Sequence, residues 1–238
     1  MSQGNSLFHR AILMSGSSLA TSAVVPDPRD VTRQVAAHTG CPLDLDLVDC
    51  LRGKDIRQLL DVAVQSPPYT SPVGPYVDGT IIPDLPHVLM EGYAAKTDLM
   101  FGVTESESFH LFPAYTVSYG IGDEEQQKIL RSLIHSEFSA QGEQLDQIMK
   151  TVFNEYRNFH QTREDKMVSA VHAEKSRQFS LQVNLGLLLE IFSDARVVAP
   201  LVRAANLQSN TERASYLYVF KHTTEAGYFP EHGAGGIR

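Results

Sequence analysis

The stretch Phe101-Gly102-Val103-Thr104-Glu105-Ser106-Glu107-Ser108-Phe109-His110-Leu111-Phe112 carries the strongest indication of fold in this sequence. An apolar run from Leu99 to Val103 ends at a small polar turn that contains carboxylates, and an aromatic segment follows. Enzymes built on a parallel α/β sheet present an acid at the carboxyl end of a strand in this way. We therefore predict a buried strand near 98–104, with Glu107 just beyond its carboxyl end.

Three other segments, near 10–16, 76–83 and 215–221, also predict strands. The first is a compact apolar run, the second surrounds an Asp-Gly turn, and the third is rich in aromatic and β-branched residues. Long connections separate these segments, and parallel strands require such crossovers. The order predicts a doubly wound, mostly parallel α/β sheet. Three of these segments, 10–16, 98–104 and 215–221, are expected to be buried. Three buried strands alone would leave sheet edges uncovered, so we expect the later portion of a larger sheet.

The region 123–207 predicts a large helical insertion. Within it, an apolar stripe at helical spacing comprises Leu145, Ile148, Met149, Val152, Phe153 and Tyr156. A longer helical region is predicted from about 164 to 192, and another from 195 to 207, interrupted by Pro200. The apolar stripe indicates that one face of its helix is covered.

The composition excludes several classes of function. The net charge is −8 and the pI is near 5.5, which argues against nucleic-acid binding, because phosphate neutralisation needs clustered Lys and Arg. No apolar run approaches the ~20 residues of a membrane span. Met1–Asn5 lacks the charged and apolar regions of a signal peptide. Histidines and carboxylates do not show metal-ligand spacing, so we expect no metal site, and no motif for another cofactor is identified.

The two cysteines, Cys41 and Cys50, do not have the Cys-x-x-Cys spacing of redox or zinc sites. A disulfide across this short loop would indicate an oxidising compartment. Two unrelated buried thiols are the alternative, and the spacing alone does not decide between them.

A catalytic triad for acyl transfer is incomplete in these residues. The Gly-x-Ser-x-Gly elbow that presents a nucleophile does not occur. Ser15 and Ser17 lie beside Gly16 but lack glycines two residues before and after them. Among the histidines, His110 lies within one helical turn of Glu107, and His232 is followed by Gly233-Ala234 without an acid. A structural or surface role is the simpler interpretation of His110. The remaining helical histidines are expected to be exposed: His135, His160 and His172.

Four segments resemble the carboxylesterase type B family, to which the cholinesterases belong. They are 7–17 (Leu-Phe-His-Arg-Ala-Ile-Leu-Met-Ser-Gly-Ser), 74–86 (Gly-Pro-Tyr-Val-Asp-Gly-Thr-Ile-Ile-Pro-Asp-Leu-Pro), 193–200 (Ser-Asp-Ala-Arg-Val-Val-Ala-Pro) and 215–222 (Ser-Tyr-Leu-Tyr-Val-Phe-Lys-His). The resemblance covers nearly the whole chain and implies that 1–238 is part of one domain with the α/β-hydrolase fold.

The resemblance also implies roles for particular residues. Glu107 matches the third triad member, and the serine elbow and catalytic histidine would lie outside this chain. The acid would then either orient that histidine or, in a non-enzymatic relative, bind strand-end amides. Cys50-Leu51-Arg52 resembles the end of the family's small disulfide loop, which implies a Cys41–Cys50 bond.

The family forms homodimers through a helical bundle that contains the helix with the apolar stripe. That resemblance implies an interface at Leu145, Met149, Val152 and Tyr156. Packing of the same stripe on the chain's own domain is the alternative.

Within the family, the sequence looks most like the neuroligin and gliotactin type of adhesion protein. Cholinesterases carry cysteine where this chain has Ala199, and a tryptophan in their acyl pocket, whereas this chain has no tryptophan. The resemblance implies an adhesion ectodomain without ester hydrolase activity, on the extracellular face of a cell, in a single-pass membrane parent with an extracellular protein partner. A secreted or lumenal serine carboxylesterase, with its Ser and His outside this chain, is the alternative.

Overall fold

A three-stranded parallel sheet forms the centre of one half of the molecule. The computed structural model describes residues 8–25, 27–66, 69, 71–91, 97–167 and 173–222. Strands β1 (Arg10–Met14), β2 (Asp98–Thr104) and β3 (Ser215–Phe220) lie in the order β1-β2-β3, with β2 between the other two. The register aligns Ile12 with Met100 and Met100 with Tyr216.

Both crossover connections contain helices. The first connection contains a 3-10 turn (Thr21–Ala23), α1 (Pro28–Thr39), α2 (Leu47–Arg52), α3 (Ile56–Leu60) and α4 (Pro86–Glu91). The second contains a 3-10 turn (Phe109–Leu111), α5 (Ala114–Tyr119), α6 (Asp123–Phe138), α7 (Gly142–Met167), α8 (Ala173–Ser193), a π-helical segment (Asp194–Val198) and α9 (Ala199–Ser209).

One face of the sheet packs against α9. Phe101 and Val103 of β2 are buried against Leu201 and Ala204. Side chains alternate between the faces of a strand, so the partners of Met100 in the register share the opposite face. That face is open to solvent in the described residues, where its exposed apolar side chains are Ile12, Met14, Met100, Tyr216 and Phe220.

A second core lies between helices α6, α7 and α8. The largest side chains in it are almost completely buried: Leu130, Leu133, Ile134, Leu185, Leu188 and Phe192. The ring of Phe192 meets those of Phe112 and Tyr69 edge to face, at centroid distances of 5.5 and 4.8 Å. Burial of this many aliphatic and aromatic groups is the main source of stability for the helical half.

The chain between α1 and α2 is closed by a disulfide between Cys41 and Cys50, whose Cα atoms are 5.8 Å apart. Gly40 ends α1 in the left-handed conformation, with φ 66°. Beyond it the Cys41 N–H donates to the Ala36 carbonyl, which places the Cys41 side chain beside α2.

The prediction of a strand near 76–83 is wrong. Asp78 instead forms a turn, because its Oδ1 accepts the backbone N–H groups of Thr80, Ile81 and Ile82 at 2.8–2.9 Å. These donors hold the pKa of Asp78 below its usual range. Gly79 supplies the positive φ, at 77°. The turn uses N–H groups that a strand would give to a neighbour, so the segment does not pair.

The helical region predicted over 164–192 contains the end of α7 and most of α8. Helix α7 continues to Met167 and α8 begins at Ala173. The interruption predicted at Pro200 takes the form of an irregular turn just before it, because proline lacks an N–H and its ring crowds the carbonyl of the preceding turn. The irregularity falls in the five residues before α9, which form a π-helical turn.

Candidate functional site

Glu107 lies where the sequence predicts, in the turn after β2, and its carboxylate is fixed by two donors. Oε1 accepts the backbone N–H of Thr104 at 2.6 Å and the hydroxyl of Ser15 at 2.9 Å. Thr104 is the last residue of β2, so the first donor is a strand-end amide. Among the described residues, both hydrogen bonds to this carboxylate go to Oε1, and none is made to Oε2.

Ser15 reaches Glu107 because it follows β1, the neighbouring strand. Its backbone has φ 54°, an uncommon value for a residue other than glycine, and its N–H donates to the Gly102 carbonyl at 2.8 Å. The carboxyl ends of parallel strands meet at one edge of the sheet, which brings together residues 92 positions apart. Sequence reasoning placed Ser15 in a loop and did not identify this contact.

The turn that carries Glu107 is held on its other side by Ser193. The Glu107 N–H donates to Ser193 Oγ at 3.0 Å, and that hydroxyl donates to the Leu189 carbonyl at 2.6 Å. Ser193 Oγ also lies 3.2 Å from the hydroxyl of Ser108. Both serines are buried, so these bonds fix the turn against the end of α8.

A cavity of about 250 Å³ adjoins Glu107. Ser15, His110 and Arg196 contribute to its walls, and small residues of the 15–23 loop line most of the remainder. His110 lies in the 3-10 turn and is exposed, and no hydrogen bond joins it to Glu107 within the described residues. As far as the chain is described, the cavity therefore contains the acid without an imidazole paired to it.

Arg196 also belongs to a buried polar cluster behind this cavity. Its Nη1 lies 3.3 Å from Glu137 Oε1, and only 14% and 5% of the two side chains are exposed. Arg196 also donates to the Tyr69 carbonyl, and Thr21 donates to Glu137 Oε2. Arg196 and Glu137 line a second cavity of about 420 Å³, so Arg196 separates the two cavities. The cluster ties four separate segments of the chain together.

The end of α8 and the π-helical turn position three of these polar groups. Ser193 supports the Glu107 turn, Arg196 pairs with Glu137, and Asp194 Oδ2 accepts the hydroxyl of Tyr156 at 2.6 Å. In the π-helical turn the Ala199 N–H donates to the Asp194 carbonyl, five residues earlier. The sequence identified 193–200 as a motif of resemblance but did not indicate these contacts.

The four residues assigned to a dimer interface lie on the chain's own core. Leu145 is buried, and Met149, Val152 and Tyr156 are partly buried against the core between α6, α7 and α8. This is the alternative that the sequence left open. The outward side of α7 is polar and exposed; it includes Gln144, Gln147, Lys150, Thr151 and Asn154. An interface through α7 would therefore use its polar side.

Replacing Tyr156 with Phe should destabilise the protein by about 1–2 kcal/mol, because it removes a hydrogen bond to a carboxylate from a half-buried site. Burial, followed by the bond to Asp194, raises the pKa of Tyr156. The unfolded chain therefore loses this proton first, near pH 10, and the free energy of unfolding should fall as the pH rises beyond that value. Urea denaturation at pH 8 and pH 11 measures both effects. Equal pH dependence in wild type and Tyr156→Phe would contradict the assignment.

Of the other four histidines considered from the sequence, His135 has a described side chain. His135 Nδ1 lies 3.0 Å from the Ala140 carbonyl at the end of α6, a structural contact. His232 and His172, with the side chain of His160, lie outside the described residues. Within those residues, no group of three or more His, Cys, Asp or Glu side chains has a metal-binding arrangement. The described helices include none with the length and apolar character needed to cross a membrane.

Comparison with known proteins identifies relatives over nearly the whole chain. Mouse neuroligin-3 is 27% identical over 221 residues, which is 91% of this chain and 25% of the mouse protein. Rat neuroligin-2 is 29% identical over 233 residues, 94% of this chain and 25% of the relative. Neuroligin-1 of Caenorhabditis elegans is 25% identical over 255 residues, 99% of this chain and 30% of the relative. The chain thus spans about a quarter to a third of the length of these relatives.

The profile of the carboxylesterase family matches residues 1–235. The parallel sheet, its helical crossovers and the acid after β2 agree with that match. The chain therefore belongs to the carboxylesterase family and forms part of an α/β-hydrolase fold related to that of the neuroligins.

Proposed function

We propose that this chain is part of a cell-surface adhesion ectodomain that does not hydrolyse esters. The observation that carries the proposal is the bonding of Glu107. Its Oε1 accepts the strand-end amide of Thr104 and the hydroxyl of Ser15, which is the arrangement expected of an acid retained for structure. The similarity to neuroligins, Ala199 and the absence of tryptophan support the same assignment.

The proposal places the domain on the extracellular face of a cell, in a single-pass membrane parent with an extracellular protein partner. The Cys41–Cys50 disulfide supports an oxidising compartment. Beads coated with the parent ectodomain should bind to intact cells, and mild trypsin treatment of the cells should abolish binding. Binding no greater than that of albumin-coated beads would contradict the adhesion role.

An active serine carboxylesterase is the second candidate. It is favoured by Glu107 Oε2, which accepts no hydrogen bond within the described residues and so leaves an oxygen for an imidazole. The adjoining cavity of about 250 Å³ is compatible with a small acyl group. The nucleophile and the histidine would then come from the rest of the parent.

Turnover of a soluble ester, such as p-nitrophenyl butyrate, separates the two candidates. We expect the parent ectodomain to show no hydrolysis above buffer and no labelling by a fluorophosphonate. An enzyme would instead hydrolyse the ester and lose roughly 10⁴-fold in kcat when Glu107 becomes Gln, by analogy with loss of the acid from other triads. That result would establish the esterase and remove the adhesion proposal's main support.

The structural role of Glu107 also predicts an order of stability. Glu107→Ala should cost about 1.5–3 kcal/mol, since it removes a charged acceptor from two donors. Glu107→Gln keeps a carbonyl oxygen at the same position and should cost less than half as much. Urea denaturation measures both values. Equal costs for Ala and Gln would mean that the two bonds to Oε1 contribute little.

We also propose that the parent ectodomain forms a homodimer through the outward side of α7. The family resemblance supports this bundle, and the structure leaves that side exposed. Gln147→Arg combined with Asn154→Arg should halve the mass measured by light scattering while the far-UV circular dichroism spectrum stays that of the folded protein. Gln58→Arg on exposed α3 is the matched control. A dimer mass retained by the double variant would contradict the assignment.

A further inference from the structure

The loop closed by Cys41 and Cys50 exposes an unusual number of aliphatic side chains. Leu45 is fully exposed, and Leu43 and Val48 are 60% and 54% exposed. Helix α3 follows directly and exposes Ile56 and Leu60, at 64% and 76%. Single exposed leucines are common on protein surfaces, whereas five exposed aliphatic residues within one short region are typical of an interaction site.

The same loop is acidic. Its sequence alternates apolar residues with Asp44, Asp46 and Asp49, and it contains no Lys or Arg. Arg52 of α2 pairs with Asp49 at 3.2 Å, which leaves the carboxylates of Asp44 and Asp46 without an ion pair in the described residues. Helix α3 carries Arg57, so the acidic character belongs to the loop itself, and the charge that would complement the loop is positive, at Lys or Arg spaced between apolar groups.

Local bonds hold the loop in one conformation. The disulfide closes it, Asp44 Oδ1 accepts the Asp46 N–H at 2.9 Å, and the Cys50 N–H donates to the Asp46 carbonyl at 2.9 Å. A loop that is ordered before binding loses less conformational entropy when a partner docks. The exposed leucines are thus presented at low entropic cost.

We propose that this loop, with α3, is a docking site for a cationic amphipathic segment of a partner protein. Leu43 and Leu45 would enter apolar positions of the partner, and Asp44 and Asp46 would face its Lys or Arg side chains. The site is remote in sequence from the Glu107 turn. The inference goes beyond the proposed function, since it stands even if the parent hydrolyses esters.

Binding of a defined peptide to the intact parent ectodomain tests the proposal. The probe is an 18-residue helical peptide with Leu on one side and Lys on the other. A peptide with Glu in place of Lys is the control for charge. Leu43→Ser with Leu45→Ser should weaken binding of the Lys peptide at least about tenfold. Asp44→Asn with Asp46→Asn should weaken it and reduce its salt dependence. Tyr115→Ser, at an exposed residue of α5, is the matched control and should change the Kd less than about twofold.

Three results would overturn the proposal. Equal binding of the Lys and Glu peptides would show that charge does not select the partner, and unchanged binding by the double Ser variant would place the site elsewhere. The photo-crosslinking residue benzoylphenylalanine, in place of Leu45, supplies the third test. It should join the Lys peptide; crosslinking within its own chain, to a second copy, or to nothing would show that the loop is not this docking site.

Discussion

Replacing Gly120 with Ala should destabilise the fold by more than about 3 kcal/mol, a large effect for a single methyl group. Gly120 has φ 76° and ψ −169°, a conformation available essentially to glycine alone. An added Cβ would also lie 2.3 Å from the carbonyl carbon and oxygen of Leu181. These are backbone atoms of α8, which cannot move aside as the end of a side chain can.

The strain would act on a contact that joins two parts of the helical half. The next residue, Ile121, donates its N–H to the Leu181 carbonyl at 3.0 Å and is itself almost fully buried. Gly122→Ala is the matched control, because Gly122 has φ −77° and its Cβ would meet no atom within 4 Å. Urea denaturation followed by circular dichroism should separate the two variants clearly. Losses within about 1 kcal/mol of each other would contradict the predicted clash.

Breaking the buried pair of Arg196 and Glu137 should have an effect of similar size. Arg196→Met should cost about 3–5 kcal/mol, because it leaves a carboxylate that is 95% buried without its cation. It also removes the donor to the Tyr69 carbonyl. Chemical denaturation measures the loss, and Arg196→Met with Glu137→Leu should recover a large part of it, since no unpaired charge remains.

An exposed ion pair supplies the control. Arg131 Nη2 lies 2.8 Å from Asp146 Oδ1, closer than the buried pair, but 53% and 61% of the two side chains are exposed. Arg131→Met should cost no more than about 1 kcal/mol, because water already screens that pair. If Arg196→Met and Arg131→Met lowered the free energy of unfolding by the same amount, burial would not be the cause of the loss. The polar cluster around Arg196 would then contribute little to stability.

Local sequence pattern predicted the strands that became the sheet. Apolar and β-branched runs indicated β1, β2 and β3, because a buried strand in a parallel sheet is apolar on both faces. The same reasoning failed at 76–83, where alternating residues and an Asp-Gly pair resemble a hairpin. The side chain of Asp78 competes for the backbone N–H groups there, and strand propensity does not take account of that competition.

Contacts across the fold were much less predictable. Glu107 was identified, but Ser15 was not recognised as its partner, since the two meet only when β1 and β2 pair. The apolar stripe on α7 was also identified, but the helices that pack against it were not. Periodicity shows that a helix face is buried and does not show which element buries it. Pro200 indicated an irregular helix in this region, but not a π-helical turn, because the residues 194–198 are themselves compatible with an ordinary helix.

The π-helical turn Asp194–Val198 has a consequence for insertions and deletions. Such a turn behaves as one surplus residue within a helix, and each residue corresponds to about 100° of rotation. Shortening the segment by one amino acid would restore uniform winding, but every side chain on one side of the cut would rotate away from its partner. The groups that bind Tyr156, Glu137 and the Glu107 turn therefore keep their orientations only when this segment has its present number of residues. The segment should tolerate substitutions far better than insertions or deletions.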